Sequence, residues 1–303
     1  MNKDGGYNLL VARVIGGLGN QMFEYAAARA LSLRTNVPLV LDISAFADYN
    51  LHVYCLNQFN IAGDVLDQVE YVDVDKSKYV VRNSKSLIGR ISRRLKLGRR
   101  LKVFRETDLV FDSEVLTLTD STYLEGYWQS ERYFIDQEQQ IRSDFGLKSS
   151  PDAINQGWLE HINSVLAVSV HIRRGDYVTN PAANAIHGVC SIDYYQRAVE
   201  FLRSRIASEL CFFVFSDDPE WSKNNIDFGA KTFFISHNDA SKNYEDLRLM
   251  SACKHHIIAN SSFSWWGAWL NADVNKIVVA PKRWFGGDEH DAKDLVPKEW
   301  VRL

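Results

Sequence analysis

At 303 residues, 46% of them hydrophobic, the chain exceeds the usual single-domain size and can bury a sizeable core, either in two α/β domains or in one with large insertions. Its net charge of -3 argues neither for nor against nucleic acid, and 12% aromatic content is that of an ordinary soluble protein. Cys55, Cys190, Cys211 and Cys253 lie far apart and form no CxxC, which suggests reduced, mostly buried thiols in a cytosolic compartment.

Met1 to Tyr7 is polar and leads straight into a strand-like run. With neither a signal peptide nor a long apolar span, a cytoplasmic chain is expected rather than secretion or transmembrane anchoring. Leu9 to Ile15 reads as a first strand, followed by the glycine loop Gly16-Gly17-Leu18-Gly19-Asn20 and a helix through about Leu33. The last glycine of GxGxxG is missing, and no Lys-Ser/Thr follows for a P-loop. The loop is therefore either a tight turn open to close backbone approach, with Asn20 and Gln21 donating hydrogen bonds at a helix mouth, or glycine used for packing alone. Val37 to Ile43 is a second strand. Tyr123 to Glu125 and a helix over Glu131 to Phe145 close the first half, and the irregular stretch Leu51 to Asp120 between them is a place for partner or acceptor contacts.

Within that stretch, Lys76 to Arg105 holds no acidic residue. Arg90, Arg93, Arg94, Lys96, Arg99, Arg100, Lys102 and Arg105 crowd together while Leu87, Ile91 and Leu95 recur every four residues. This describes either an amphipathic helix with a basic face, suited to a membrane surface or a phosphorylated lipid carrier, or a solvated basic run.

Lys148-Ser-Ser-Pro-Asp152 reads as a hinge, giving domains over 1–150 and 151–303. Beyond it, strands at Leu166–Ile172, Leu210–Phe215, Lys231–Ile235, His255–Ala259 and Ile277–Ala280 alternate with helices, the pattern of a parallel sheet covered on both faces. The strand at 166–172 runs into His171-Ile-Arg-Arg-Gly-Asp-Tyr177. Ligands of open α/β sheets bind beyond the carboxyl ends of strands, and two guanidiniums there suit a diphosphate; an Arg-Asp ion pair pinning the loop is the alternative.

Asp217-Asp218 follows the next strand and could hold Mg²⁺ or Mn²⁺, but a Ser216/Asp217 cap ahead of Asp218-Pro219 is preferred. Glu245 and Asp246 open a helix, where one could accept from the N1-H and amine of a guanine or simply answer the helix dipole. In Asn260 to Leu270 the serines present hydroxyls and backbone N-H groups to an anion, while Trp266, Trp269 and Leu270 form scaffold.

Read together, GGLGNQMFEYAAARAL at 16–31, GYWQSERYF at 126–134, HIRRGDY at 171–177, HGVCSIDYY at 187–195, SDDPEW at 216–221 and NSSFSWWGAWL at 260–270 resemble the bacterial α-1,2-fucosyltransferases of glycosyltransferase family 11. The resemblance implies a GT-B fold: two Rossmann-like domains facing a cleft, acceptor mainly on the first and GDP-β-L-fucose mainly on the second. It further implies inverting, metal-independent transfer of L-fucose to the 2-hydroxyl of a terminal β-galactose in a surface glycan. On it, His171, Arg173, Arg174, Asp246, Ser261, Ser262 and Phe263 meet GDP-fucose, and Gly17, Asn20 and Gln21 meet the sugar or acceptor. Asp176 is the candidate base and His187 its rival, because Pro181 occupies the stretch in which related α-1,6 enzymes are expected to carry a glutamate. A fucosyltransferase of another linkage and a nonenzymatic nucleotide- or nucleic-acid-binding module are the competing readings; the leading α-1,2-fucosyltransferase reading expects no nucleic-acid partner.

Overall fold

The computed structural model describes residues 8–49, 51–67, 70–75, 78–82, 100–119, 121–287 and 291–303. The basic positions 90–99 and the leucine pattern at 87–95 lie outside these residues. The chain divides into two compact units, Met1–Lys148 and Ser149–Leu303.

The first unit is built on a seven-stranded sheet. Its strands are β1 (Leu10–Arg13), β2 (Leu39–Asp42), β3 (Asp64–Leu66), β4 (Glu70–Asp75), β5 (Lys78–Arg82), β6 (Arg100–Arg105) and β7 (Thr122–Glu125), in the order β3-β2-β1-β7-β6-β5-β4. From β3 to β6 all neighbours are parallel; β5 pairs antiparallel with both β6 and β4. Four of these strands fall inside the stretch expected to be irregular. Alternating charge and apolarity in RLKVFR and EYVDVD, without the apolar run of a central strand, hides them.

Helix α1 (Leu18–Thr35) follows β1 and buries three consecutive alanines, Ala26 to Ala28, whose small side chains let it lie close against its neighbours. It ends at Asn36 in the left-handed conformation, φ 54°. The helix expected over 131–145 is instead two 3-10 turns, Glu131–Tyr133 and Ile135–Gln137, then a short α2 (Glu138–Asp144). Phe134 breaks the run at φ -142° so that both it and Tyr133 are buried.

The second unit holds a six-stranded, all-parallel sheet: β8 (Ala167–Ile172), β9 (Cys211–Ser216), β10 (Thr232–Ile235), β11 (His255–Ile257), β12 (Val278–Ala280) and β13 (Val301–Arg302), ordered β10-β9-β8-β11-β12-β13. All six residues of β8 are buried, as a central strand covered on both faces requires. The helices between are α3 (Ala153–Ser164), α4 (Gly175–Thr179), α5 (Pro181–His187), α6 (Ile192–Arg205), α7 (Pro219–Asn225), α8 (Asn243–Ala252) and α9 (Ser262–Leu270).

The tryptophans of α9 are core, as expected: Trp265 and Trp266 are fully buried, and the Trp265 indole N-H donates to the Leu295 carbonyl at 2.9 Å. Truncating either to alanine would cost about 3–5 kcal/mol. In both sheets the strand order reverses beside the first strand, between β1 and β7 and between β8 and β11. Those two points are where open α/β sheets bind ligands. No helix among the described residues is long and apolar enough to cross a membrane.

Candidate functional site

The carboxyl ends of β8, β9, β10 and β11 bring most of the expected residues to one edge of the second sheet. Beyond β8, Arg173 donates from Nη2 to Asp176 Oδ1 at 2.6 Å and pairs through Nη1 with Asp217 Oδ2 at 3.0 Å. Its guanidinium also stands 5.1 Å from the Tyr177 ring. Arg174 donates its backbone N-H to Asp217 Oδ1 at 2.8 Å and its Nε to Asp218 Oδ2 at 3.2 Å, and lies 3.6 Å over the Trp221 ring.

Asp217 thus reaches across from β9 to grip both arginines. Gly175 makes that approach possible: a Cβ there would meet Asp217 Oδ2 at 2.5 Å. Partly exposed pairs of this kind contribute at most about 1 kcal/mol each. Their effect is to orient two guanidinium forks: the loop-pinning ion pair posed as the alternative is present, on the same guanidiniums that the diphosphate reading calls on. The capping expectation is corrected by one residue. Asp218, not Ser216 or Asp217, caps α7, accepting from the Trp221 N-H at 3.2 Å.

His171 closes β8 from inside. Burial, with the Arg173 charge adding to it, lowers its pKa to about 3, so the imidazole is neutral at physiological pH. The ring lies 5.7 Å from Phe263 in the first turn of α9, and its Nδ1 is buried with no hydrogen-bond partner. A buried group left in that state costs about 1–3 kcal/mol.

Ser261, just ahead of α9, is nearly buried; its carbonyl accepts from Trp265 N-H at 3.0 Å, but its side chain makes no capping bond. Ser262 and Phe263 are half-buried in the first turn. The adjacent Asn260 donates to the carbonyls of His187 at 2.8 Å and Trp284 at 3.1 Å, tying the end of α5 to this loop. The imidazole of His187 stacks on Tyr177 at 4.6 Å and 11°. Asp176 sits in the first turn of α4 with its side chain 51% exposed, so it is open to a substrate hydroxyl as well as to Arg173.

Asp246 is placed by α8, after β10. Its neighbour Glu245 is spent on Arg248 at 2.8 Å, whereas Asp246 Oδ1 accepts from Asn238 Nδ2 at 2.8 Å. Asn238 is held in turn by the buried Asn155, which also contacts Asp152 and His237. Burial raises the Asp246 pKa from 3.8 to about 7, against the lowering effect of the Asn238 bond.

The remaining expected residues stand on the first unit. Gly17 precedes α1, with His52 beside it at 3.5 Å from where a Cβ would be. Asn20 Oδ1 accepts from Gln129 Nε2 at 2.9 Å across the β1–β7 reversal. Gln21 departs from the expected helix-mouth donor: it is fully buried, donates to the carbonyls of Gly16 at 2.8 Å and Val53 at 2.9 Å, and accepts from Cys55 N-H at 2.9 Å. It staples the loop from beneath. Among the described residues there is no group of three or more His, Cys, Asp or Glu side chains placed to hold a metal ion.

Sequence reasoning passed over Asn155, Asn238, Trp221 and Tyr177. The last two stand within a few residues of charged positions already singled out, which was the available signal. The asparagines are distant in sequence and carry none.

The sequence profile described as Glycosyl transferase family 11 matches residues 102–303. An Escherichia coli alpha-1,2-colitosyltransferase is 39% identical over 98% of this chain and 99% of its own length. A galactoside alpha-(1,2)-fucosyltransferase 1 of Leontocebus fuscicollis is 28% identical over 48% of this chain and 42% of its own. Among solved structures, a variant of Arabidopsis thaliana FUT1 in complex with GDP superposes with a TM-score of 0.53 at 11% identity, covering 99% of this chain and 77% of that one. That likeness and the two α/β units identify the fold as GT-B. Together with the match over most of its length, they make the chain a glycosyltransferase that belongs to glycosyl transferase family 11.

Proposed function

We propose that the carboxyl edge of the second sheet binds GDP-β-L-fucose and that the enzyme transfers fucose, with inversion, to the 2-hydroxyl of a terminal β-galactose in a surface glycan. The observation that carries this reading is the pair of guanidiniums at the β8–β11 reversal, that of Arg173 oriented by Asp217 and that of Arg174 by Asp218 and Trp221, beside a buried neutral His171 whose Nδ1 lacks a partner. Arg173 and Arg174 take up the negative charge that grows on the diphosphate as it leaves, and they remain charged throughout. His171, Ser261, Ser262 and Phe263 line the nucleotide side, and Asp246 accepts from the N1-H and amine of guanine.

In the transfer step the acceptor 2-hydroxyl forms the new bond to fucose C1 while the bond from C1 to the β-phosphate oxygen breaks. The hydroxyl proton passes to Asp176 and GDP departs with the bonding pair. Asp176 is held by Arg173 before the donor binds. When the diphosphate draws that guanidinium, the carboxylate is released for the hydroxyl, which couples donor binding to base activation. His187, stacked face-on against Tyr177, is the less available of the two candidates. Asp217 and Asp218 are already bound to guanidinium and backbone N-H groups, consistent with charge stabilisation by arginine in place of a metal. Activity after EDTA treatment is therefore expected to be unchanged; loss that Mn²⁺ restores would return these carboxylates to a metal.

A second donor has support in the 39% identical colitosyltransferase. Colitose is L-fucose without its 3-hydroxyl, so a site that hydrogen-bonds that hydroxyl rejects it by a large factor and an apolar one does not. The deciding experiment offers GDP-fucose and GDP-colitose separately with a panel of β-galactosides and determines product linkage. Fucose on O2 of galactose supports the proposal. Fucose at any other position, or turnover with GDP-colitose alone, refutes it.

A further inference from the structure

A second cluster occupies the carboxyl edge of the first sheet, and the transfer step above does not use it. Glu106 follows β6 and donates its own N-H to the Glu125 carbonyl at 2.9 Å. Its carboxylate accepts from the Tyr127 N-H at 2.6 Å and the Trp128 N-H at 3.1 Å. Between them, Gly126 passes so close that a Cβ there would stand 2.4 Å from Glu106 Cβ. Trp128 takes a left-handed conformation, φ 54°, which costs a bulky residue on the order of 1–3 kcal/mol. Its buried indole, packed near Phe104 and Tyr133, and the two bonds to Glu106 hold it there. Burial pushes the Glu106 carboxyl up to about 7.

This fixed backbone turns two side chains to the β1–β7 reversal. Tyr127 is 42% exposed, two residues past the end of β7. Gln129 reaches Asn20. Tyr49 is 6.0 Å from His52, which flanks Gly17. Rings and amides at one edge suit a sugar ring, whose C-H faces lie on aromatic surface and whose hydroxyls meet amides. A phosphate is less well served here than at the second edge, because Arg13 and Arg105 are both bound to Glu125 and burial favours the neutral forms of Glu24 and Glu106.

We propose that Glu106 is a positioning residue for the acceptor, holding the Gly126–Gln129 loop so that Tyr127 and Gln129 meet a neutral pyranose of the glycan. The inference rests on the glycan-transfer reading and assigns it a recognition loop. In steady-state kinetics, Tyr127→Ala and Gln129→Ala should each raise the acceptor KM about tenfold while the donor KM stays within about twofold of wild type. Glu106→Ala should do the same, and Glu106→Gln, whose amide oxygen still accepts a backbone N-H, should recover most of the loss. Unchanged acceptor KM in the two loop variants, or donor and acceptor KM rising together, overturns the proposal; these variants decide it even if Glu106→Ala does not fold.

Saturation-transfer NMR with methyl β-galactoside and GDP-saturated protein separates this idea from the choice of donor, because it needs no turnover. Signal in wild type that is lost in Tyr127→Ala supports the loop, whatever the donor. No signal in wild type, or signal unaffected by Tyr127→Ala, rejects the loop. Failure to transfer fucose rejects only the donor reading.

Discussion

The two sheet edges solve different problems with the same topology. At β8–β11, permanently charged guanidiniums lie partly open to solvent, each steadied by a carboxylate. At β1–β7, glutamates are drawn inward against backbone N-H groups while rings and amides face out. An edge whose free energy is stored in oriented cations suits a charged leaving group. One whose carboxyl groups are buried against backbone N-H groups, where burial favours their neutral forms, suits a neutral, hydroxylated ligand. The reversal of strand order fixes only where a ligand sits; the residue that follows each strand decides which kind.

The sharpest way to break this contrast is Arg173→Ala. Loss of a guanidinium aimed at a departing phosphate should lower kcat by about 10³–10⁵ while circular dichroism stays native; near-normal turnover would remove the leaving-group role. Next comes Asp176→Asn, expected to reduce kcat by about 10²–10⁴ with GDP-fucose affinity nearly unchanged. His187→Ala run alongside should cost much less, and the reverse ranking would transfer the base to the histidine.

A smaller effect is expected from pH. Asp246 must be ionised to accept from guanine, and its carboxyl sits at about 7. GDP affinity measured by calorimetry should therefore rise up to about tenfold between pH 6 and 8, and Asp246→Asn should flatten that rise. In the unliganded protein the sign is opposite. A carboxyl raised above its unfolded value binds a proton in the fold, so its contribution to stability is full below about pH 4 and is lost as pH rises through 7. The last is Gly126→Ala, whose Cβ would stand 2.4 Å from Glu106 Cβ and so displaces the loop while leaving the Glu106 carboxyl in place. It should raise acceptor KM a few-fold and leave donor KM alone, which would confine the loop's effect to the neutral edge.

Sequence made the second edge far more legible than the first. Strands β8 to β12 were each anticipated within about two residues, because buried parallel strands are near-continuous apolar runs and the arginines interrupt one of them abruptly. The strands β3 to β6 were missed: β4 and β5 form an antiparallel extension with polar alternation, and β6 alternates basic and apolar residues. Glu106 follows β6 in Arg-Glu-Thr-Asp, which reads as a solvated charged run. Only the backbone N-H groups of a loop twenty residues away give it meaning, and no local spacing encodes that.

The fixing of both arginine side chains, by carboxylates and by the Trp221 ring, also has an entropic side. An arginine side chain carries about 2 kcal/mol of rotamer freedom, most of which a flexible anion site would surrender at the moment of binding. Here Arg174 is flattened on Trp221 and Arg173 is clamped between Asp176 and Asp217 before any ligand arrives. Folding itself has already narrowed that freedom, so less remains to be lost when the diphosphate docks.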